Sequence, residues 1–476
     1  MNNAADLASQ RREDGAALFD LSTAAQALGG QARGAASIAS VFSDSRAIEP
    51  GGLFVALRGA RFDGHDYVTA ALADGAAAAL VEARWAAAHP ELEPLLIVED
   101  TLQALGRLAA YWRARFALPV IGVVGSNGKT TVKEMIASIL RAAYGEAMLA
   151  TRGNLNNAIG LPMTLMRLRA HQRAAVIELG MNHPGETAQL SALLQPTIAL
   201  INNAQREHQE FMHSVAAVAA EHAALIAALP DNGIAIIPAS DAHAPLWRRI
   251  AGQRRIIDFG LDSPNAPVRA SDIQLRPEGA VFSLLTFAGE TPLHLHVLGR
   301  HNIANALAAA AAALAANLPL AAIRTGLEAF RPVAGRLQPR PARGGGMLID
   351  DTYNANPDSL RAAIDVLAEL PGRRLLVLGE MAEVGQAGAD FQAEIGAYAR
   401  ERGLDGLHAL GDQAAHAVAA FGPMAVHHPR IEALLGAVQT ELTPGCTALV
   451  KGSRFMRMER VVEALAAARE IDHHAA

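Results

Sequence analysis

The sequence predicts an α/β protein of three domains. Its 476 residues are too many for one core, and typical domain sizes favour about three domains. Short apolar runs alternate with stretches of helical spacing, which is typical of parallel sheets covered by helices. We expect a small α/β domain over residues 1–108, a central domain with a mostly parallel sheet over 109–332, and a Rossmann-like α/β domain over 333–476.

Composition and charge exclude several classes of protein. Apolar residues make up 51% of the chain, and the net charge of −6, with no basic run, gives no sign of a surface for nucleic acid or anionic membrane. Met1 to Glu13 lack the apolar stretch of a signal peptide, and the alanine-rich stretch 304–316 is too weakly apolar to span a bilayer. A single cysteine, Cys446, cannot form an internal disulfide. We therefore expect a cytoplasmic protein without membrane insertion.

The elements of the first domain follow from its apolar runs. Three runs predict strands, at residues 53–57, 77–81 and 95–98. The stretch 102–116 has helical apolar spacing and predicts a helix that leads into the central domain.

The central and last domains continue this alternation. The central domain has apolar runs that predict strands at 119–124, 174–179, 198–201 and 233–237, and a helix is predicted at 131–143. Residues 268–297 do not follow this alternation of strands and helices and predict antiparallel strands or hairpins. A proline- and arginine-rich stretch, 331–341, predicts a connector. The last domain has runs that predict strands at 347–349, 374–378 and 447–450.

The turn between the strand at 119–124 and the helix at 131–143 predicts a phosphate-binding loop. Lysine occurs only three times, at Lys129, Lys133 and Lys451, against 38 arginines, so the lysines are candidates for positions where a planar guanidinium does not serve. The loop has the short Gly-x-x-Gly-Lys-Thr form, in which backbone N–H groups and Lys129 hold phosphates and Thr130 reaches Mg²⁺. The alternative is a glycine turn with an incidental lysine. Lys133 is expected at the surface. The loop reads Gly125-Ser126-Asn127-Gly128-Lys129-Thr130-Thr131.

Polar side chains also follow other predicted strands of the central domain. Glu178 ends one apolar run and His208 lies just past the next, where parallel sheets place ligand and metal chemistry. The alternative for Glu178 is a carboxylate at the edge of the sheet that forms a salt bridge. The alternative for His208 is a histidine with a structural role only.

Two further clusters lie at a helix start and at strand ends. Asn302 and Asn305 share a helix face, with ordinary helix capping by Asn302 as the alternative. Asp350 and Asp351 follow a strand of the last domain, where an Asp-rich turn is the alternative. Lys451 follows another strand.

Together these sequence motifs resemble those of the Mur ligases of peptidoglycan synthesis, and the resemblance extends along nearly the whole chain. Within that family they are most similar to the members that add D-alanyl-D-alanine to UDP-N-acetylmuramoyl-tripeptide. Besides the phosphate loop, the resemblance is carried by Asp44-Ser45-Arg46, Pro50–Leu57, Asp63–Asp66, Thr151–Gly160, Glu178–Glu186, Tyr353–Pro357 and Lys451–Arg454.

The resemblance implies an ATP-dependent ligase that forms an amide bond through an acyl phosphate. ATP and Mg²⁺ would be its cofactors, and UDP-N-acetylmuramoyl-tripeptide and D-alanyl-D-alanine its partners. It would act as a cytoplasmic monomer, with a UDP-sugar-binding first domain and a P-loop-type central ATPase domain. Whether the third residue of the tripeptide is diaminopimelate or lysine stays open.

The resemblance also implies roles for individual residues. The ATP site would comprise Gly125, Ser126, Asn127, Gly128, Lys129, Thr130, Thr131, Asn302, Asn305, Arg336 and Asp351. The catalytic residues would be Lys129, Glu178, His208 and Arg336. The metal ligands would be Thr130, Glu178 and His208. The UDP-sugar would contact Ser45, Arg46, Asp63, His65 and Asn154. The dipeptide would contact Asn354, Asn356 and Arg454.

One departure from the family pattern concerns the helix after His208. Many family members carry a carbamylated lysine there that bridges toward a second metal ion, but no lysine occurs between Lys133 and Lys451. We expect Glu221, His222 or a water molecule to supply the missing ligand. The alternative is that Glu221 and His222 belong to a solvated helix face.

Two other functions remain open at this stage. A sibling ligase could act on another amino acid or on a folate, as folylpolyglutamate synthetase does. A nucleotide-dependent switch or binding protein could use the loop without ligation, although it would need no UDP-sugar domain.

Overall fold

The computed structural model describes residues 17–467, which form two compact units. One unit comprises residues 17–120, 149–180 and 189–195, and the other comprises 121–148, 181–188 and 196–467. The predicted polar segment Met1 to Glu13 lies outside the described residues. Within residues 17–467 none of the helices has the length and apolar character needed to cross a membrane.

The strands and helices alternate along the chain as the apolar runs predict. As far as residue 178 they are β1 Phe19–Asp20, α1 Leu21–Leu28, β2 Gln31–Arg33, β3 Ser37–Ile38, β4 Ser40–Phe42, β5 Gly52–Val55, α2 Val68–Ala73, β6 Ala78–Glu82, α3 Ala83–Ala88, β7 Leu95–Val98, α4 Thr101–Arg113, β8 Val120–Val124, α5 Lys129–Tyr144, β9 Met148–Ala150, α6 Gly160–Leu165 and β10 Ala174–Glu178. As far as residue 329 they are α7 Glu186–Leu194, β11 Ile198–Ile201, α8 Gln209–Met212, α9 Val215–Ala227, β12 Ile234–Pro238, α10 Ala244–Ala251, β13 Arg255–Phe259, β14 Arg269–Arg276, β15 Gly279–Thr286, β16 Gly289–Leu295, α11 Arg300–Ala315 and α12 Leu320–Ala329.

The last part of the chain follows the same alternation. Its elements are β17 Gln338–Pro341, β18 Met347–Asp351, α13 Pro357–Ala368, β19 Arg373–Gly379, α14 Gly388–Glu401, β20 Gly406–Leu410, α15 Ala415–Phe421, β21 Ala425–His428, α16 Ile431–Glu441, β22 Cys446–Lys451 and α17 Glu459–Leu465. Short 3₁₀ turns occur at Gly64–Tyr67, Gly385–Ala387 and Arg454–Met456.

The first unit contains a five-stranded sheet in the order β2-β7-β6-β5-β4. Its strands β4 to β7 are parallel, and β2 pairs antiparallel with β7 at the edge. Strand β7 is buried along its whole length, because a parallel strand is covered on both faces and therefore reads as a continuous apolar run.

The second unit contains two parallel arrays and one antiparallel sheet. Strands β13, β12, β11 and β8 lie side by side in that order and run parallel. Strands β14, β15 and β16 form the predicted antiparallel hairpins. The last sheet has the order β17-β18-β22-β19-β20-β21, parallel except for the β17–β18 pair. The prediction of an α/β fold with parallel sheets is confirmed.

Two helices cover α5, the helix that carries the lysine of the predicted phosphate loop. Helix α11 is buried on nearly every face from Asn302 onward, as expected of a helix that is apolar all round. Helix α12 approaches so closely that a Cβ on Gly326 would lie 2.4 Å from the Cα of Ile139. Ser138 Oγ donates to the Gly326 carbonyl at 2.6 Å. This packing fixes α5 relative to the sheet.

Two expectations about these elements are wrong. The stretch 331–341 was expected to be a connector throughout; residues 331–337 do contain no helix or strand, but 338–341 form strand β17, an edge strand, where prolines are tolerated. Lys133 was expected at the surface, but its side chain is fully buried and contacts the Glu134 carboxylate. Sequence spacing does not reveal that α11 and α12 cover α5.

Candidate active site

The loop between β8 and α5 has a backbone that only glycine allows at two positions. Gly125 has φ of 146° and Gly128 has φ of 81°, a region that favours glycine. A Cβ on Gly128 would lie 2.6 Å from Asn305 Oδ1 and 2.7 Å from Asn202 Nδ2. The glycines therefore allow the loop to fold closely against Asn202, which follows β11, and Asn305 of α11.

The segment that follows β11 holds the loop in shape. Asn127 N donates to Asn203 Oδ1 at 2.9 Å, and its carbonyl accepts from Asn202 Nδ2 at 2.8 Å and Asn203 Nδ2 at 2.9 Å. Ser126 Oγ accepts from Gln205 N at 2.8 Å. The loop is preorganised by neighbouring side chains before any phosphate is present.

Lys129 pairs with a buried carboxylate that the sequence did not single out. Its Nζ lies 3.1 Å from Glu207 Oε2 and also donates to the carbonyls of Gly125 and Ser126. Glu207 is 5% exposed, and its Oε1 lies 3.2 Å from His222 Nε2. Burial would raise the pKa of Glu207, but the charges of Lys129 and His222 outweigh it and lower the pKa to about 2. Glu207 is therefore ionised near neutral pH.

His208 follows Glu207 and faces the last part of the chain. Its backbone is left-handed, with φ of 46°, at the start of α8. His208 Nδ1 lies 2.6 Å from Glu383 Oε2, and its Nε2 lies 3.9 Å from Glu207 Oε2. The contact with His208 lowers the pKa of Glu383, against an opposing effect of burial.

Glu221 and His222, the predicted replacements for a lysine, have different surroundings. The Glu221 carboxylate accepts backbone N–H groups from Gly185 at 2.9 Å and Thr187 at 2.7 Å, at the start of α7. His222 is buried and faces Glu207. The alternative of a solvated face is therefore wrong for His222. Within the described residues, 17–467, no three His, Cys, Asp or Glu side chains come together in a way that could hold a metal ion.

Glu178 lies in the other compact unit, at the end of β10. It is 3% exposed, and its Oε1 accepts from Asn156 Nδ2 at 2.8 Å. Its backbone N–H donates to Thr151 Oγ1 at 3.0 Å. The second carboxylate oxygen, Oε2, is buried without a hydrogen-bond partner, which is unusual because buried polar atoms are nearly always paired.

Asn302 and Asn305 form a buried amide chain that reaches the segment after β11. Asn302 Nδ2 donates to the Leu298 carbonyl at 2.8 Å, and Asn305 Nδ2 donates to Asn302 Oδ1 at 2.9 Å. Asn202 Nδ2 donates to Asn305 Oδ1 at 2.9 Å. Gly299, and not Asn302, is the N-cap of α11, so the capping alternative for Asn302 is wrong.

Arg336 brings the stretch before β17 to the start of α5. One guanidinium nitrogen donates to Thr130 Oγ1 at 2.8 Å, and the guanidinium lies 4.2 Å from the centroid of the Tyr353 ring. Its Nε is buried without a partner. A cation thus faces the hydroxyl of the loop threonine, while the next residue, Thr131, is buried in α5.

The residues predicted from the last domain are largely held by one another. Asp351 ends β18, and its Oδ2 lies 2.6 Å from Lys451 Nζ, which also donates to the Asn354 carbonyl at 2.9 Å. Since Asp350 and Asp351 both belong to β18, the alternative of an Asp-rich turn is wrong. The Arg454 backbone N–H donates to Asn354 Oδ1 at 3.3 Å. Asn356 caps α13, and its amide Nδ2 donates to Asn127 Oδ1 at 2.9 Å.

The predicted UDP-sugar residues lie in the first unit and differ in exposure. His65 is buried, with Nδ1 2.6 Å from Asp63 Oδ1 and Nε2 accepting from the Glu82 N–H at 3.0 Å. Arg46 is mostly exposed and pairs with Asp44 at 2.8 Å. Ser45 is half-buried and Asn154 is exposed. His65 thus orders its loop, while the others are accessible.

Sequence reasoning missed Arg206, which anchors the same segment to the last part of the chain. Its guanidinium donates to Asp358 Oδ1 at 2.6 Å and to Glu394 Oε2 at 2.7 Å. The available signal was the position of Arg206 and Glu207 in the segment that follows a parallel strand, next to the predicted ligand His208.

Comparison with known proteins places this geometry in a family. Three family models match successive stretches: "Mur ligase family, catalytic domain" at residues 37–113, "Mur ligase middle domain" at 123–313, and "Mur ligase, glutamate ligase domain" at 335–454. The UDP-N-acetylmuramoyl-tripeptide–D-alanyl-D-alanine ligase of Escherichia coli (strain K12) is 41% identical over 94% of this chain and 98% of its own length. The chain belongs to the Mur ligase family. The predicted family, three-domain architecture and ligase class are thereby confirmed.

Two solved structures resemble this Mur ligase closely. MurF from Acinetobacter baumannii has 34% sequence identity and a TM-score of 0.86, covering 94% of this chain and 98% of that chain. MurF ligase from Thermotoga maritima, solved in complex with ADP, has 25% identity and a TM-score of 0.78, covering 89% and 96%.

Proposed function

We propose that this Mur ligase uses ATP to join D-alanyl-D-alanine to UDP-N-acetylmuramoyl-tripeptide, as a monomer, in cytoplasmic synthesis of peptidoglycan precursors. The 41% identity with the Escherichia coli enzyme of that activity, along 98% of its length, carries the proposal. The phosphate loop supports the nucleotide part, because its backbone and Lys129 are arranged at the start of α5.

The proposed ATP site extends from the loop to the last part of the chain. Lys129 and Arg336 would hold the phosphates. The 2.8 Å hydrogen bond from Arg336 to Thr130 Oγ1 supports this, because Thr130 is the residue after Lys129. Asn302 and Asn305 would lie near the adenine, and Asp351 would hold the ribose. The remaining residues of this proposed site are Gly125, Ser126, Asn127, Gly128, Thr130 and Thr131.

Thr130, Glu178 and His208 are the proposed Mg²⁺ ligands. The buried, unpaired Oε2 of Glu178 fits this assignment, because Mg²⁺ takes carboxylate oxygens. When bound, Mg²⁺ would neutralise charge on the transferring phosphoryl group. Glu221 already uses its carboxylate on backbone N–H groups, which favours His222 or water as the replacement for the carbamylated lysine.

The proposed reaction has two transfers. The tripeptide carboxylate attacks the γ-phosphorus of ATP, so that an acyl phosphate forms and ADP leaves, while Lys129 and Arg336 neutralise the phosphoryl oxygens. The dipeptide amine then attacks the acyl carbon, loses a proton, and phosphate leaves from the tetrahedral intermediate. Lys129, Glu178, His208 and Arg336 would be the catalytic residues.

The other proposed contacts belong to the two remaining substrates. The UDP-sugar would contact Ser45, Arg46, Asp63, His65 and Asn154. The dipeptide would contact Asn354, Asn356 and Arg454. The domain boundaries after residues 108 and 332 remain our proposal.

A coupled phosphate-release assay tests the proposed function. Phosphate should appear only when ATP, Mg²⁺, UDP-tripeptide and D-alanyl-D-alanine are all present, because the acyl phosphate needs both an acid and an amine to turn over. Parallel reactions with the diaminopimelate and lysine tripeptides identify the third residue. Release without either peptide substrate would contradict a ligase and indicate an ATPase or switch, and release only with another amino acid would indicate a sibling ligase.

A further inference from the structure

Glu207 contacts the lysine of the phosphate loop but is not one of the proposed catalytic, metal-binding or nucleotide-binding residues. It follows β11 and is 5% exposed. Its two carboxylate oxygens contact different cations or potential cations, with Oε2 at 3.1 Å from Lys129 Nζ and Oε1 at 3.2 Å from His222 Nε2. Burying a carboxylate is costly unless it is paired, so a buried glutamate here has a specific purpose.

The neighbours of Glu207 along the chain are engaged elsewhere. Arg206 pairs with Asp358 and Glu394, and His208 Nδ1 lies against Glu383. These contacts hold the backbone on both sides of Glu207. The Glu207 carboxylate therefore has fixed neighbours on both sides along the chain, and Lys129 and His222 are its shortest ionic contacts, with His208 Nε2 further away at 3.9 Å.

We propose that Glu207 is a positioning residue that holds the Lys129 ammonium over the phosphate loop, with His222 bracing the carboxylate from the opposite side. The proposal rests on the proposed function for the identity of the anion that Lys129 meets. In the structure Lys129 also donates to the Gly125 and Ser126 carbonyls, so three acceptors fix one ammonium.

This arrangement has an electrostatic consequence that distinguishes positioning from simple stabilisation. A carboxylate beside a site for a polyphosphate repels the nucleotide, since like charges at short range are unfavourable. A fixed Lys129 ammonium stabilises the transition state of phosphoryl transfer, because the position of the positive charge matters most there. Glu207 therefore weakens nucleotide binding and accelerates phosphoryl transfer.

Glu207→Gln keeps the shape of the side chain and removes its charge. We expect kcat to fall by about tenfold or more, because Lys129 loses the charged one of its three acceptors, while the KM for ATP stays equal or decreases and the Kd for ADP decreases. Glu207→Asp keeps the charge on a side chain one methylene shorter and should recover part of kcat. Steady-state kinetics, calorimetric ADP titration and thermal unfolding of each variant provide the readouts.

Glu210→Gln is the matched control. Glu210 is an exposed glutamate three residues further along the same segment, and its substitution should leave kcat and ADP affinity as in the wild type. A kcat of Glu207→Gln within about threefold of wild type would overturn the proposal, since transition-state positioning would then contribute little. A weaker affinity for ADP in Glu207→Gln would also overturn it, because that is the result expected of mere structural damage.

Failure of the proposed function would look different. If the wild type released no phosphate with both peptide substrates, the ligase assignment would fail. The ADP titration would still decide the role of Glu207, with tighter binding in Glu207→Gln than in Glu210→Gln supporting the proposal and equal or weaker binding contradicting it.

Discussion

The two lysines at the ends of parallel strands, Lys129 after β8 and Lys451 at the end of β22, have very different surroundings. The Lys129 side chain is 16% exposed and shares its ammonium among two loop carbonyls and Glu207. The Lys451 side chain is 4% exposed, pairs with Asp351 at 2.6 Å and donates to the Asn354 carbonyl at 2.9 Å. One lysine is the first residue of helix α5, next to the phosphate loop, and the other is the last residue of strand β22.

The difference shows that position at a strand end does not decide what a lysine does. The carboxylate that contacts Lys129 also lies 3.2 Å from His222 Nε2, so Lys129 is held by a group that has a second basic neighbour. Lys451 ties the end of β22 to the end of β18 and to the loop after it. We therefore expect Lys129 to act on substrate and Lys451 to stabilise the fold.

Substitution of Lys129 gives the largest expected effect. Lys129→Met should lower ligase turnover by about 10³-fold, as expected for loss of a charge that neutralises a transferring phosphoryl group. Lys129→Arg should not restore activity, because a planar guanidinium does not replace the compact ammonium in a tight loop. Turnover is measured by phosphate release, and urea unfolding shows whether the fold survives. Activity above about one tenth of wild type in Lys129→Met would remove the contrast between the two lysines.

Substitution of Lys451 should act mainly on stability. Lys451→Met leaves Asp351 buried without its cation, and we expect the free energy of unfolding to fall by about 3 kcal/mol. Replacing both partners, in Lys451→Met with Asp351→Asn, should recover a large part of that loss, because no unpaired charge remains. Urea titrations of the two variants measure both values. An unchanged midpoint in the single variant would show that Lys451 is not a structural lysine.

The smallest expected effect concerns Arg206, which fixes the segment next to Lys129 and Glu207. Arg206→Ala should lower the free energy of unfolding at pH 7 by about 1 kcal/mol, because the pairs with Asp358 and Glu394 are partly exposed and screened. The hydrogen bond from Arg206 lowers the pKa of Glu394 below its ordinary value of 4.5.

The pH dependence of this effect has a defined sign. A lowered carboxyl pKa contributes stability above about pH 4.5, and the contribution is lost as the pH falls through the lower pKa of the folded protein. The difference between wild type and Arg206→Ala should therefore shrink from pH 6 toward pH 3 in urea titrations. Arg324→Ala, at an exposed i,i+4 pair with Glu328, is the control and should change stability by no more than about 0.5 kcal/mol. A difference that stays constant with pH would contradict the role of Glu394.

The strands and the loop were predictable from the sequence because their determinants are local. Buried parallel strands read as continuous apolar runs, and the structure places β7 and β11 at the predicted residues. The glycines of the loop mark backbone angles that other residues rarely adopt. Strand β17 was missed because its prolines resemble a connector.

The side-chain partners were not predictable, because they come from distant parts of the chain. Glu207 meets Lys129 and His222 only once β8, β11 and α9 are packed together. Lys133 lies one turn after Lys129 and looks like an exposed helical residue in the sequence, although its side chain is fully buried. For Glu207 the deciding contact with Lys129 spans a long sequence separation that no local pattern records.

The scarcity of lysine also has a chemical consequence. All three lysines lie within the described residues, and Lys133 and Lys451 are buried, which leaves Lys129 as the one partly accessible lysine amine. An amine-selective acylating reagent thus meets a single lysine target, located in the phosphate loop. Because a nucleotide bound as proposed would cover that amine, protection of Lys129 from acylation reports occupancy of the loop without any ligase substrate.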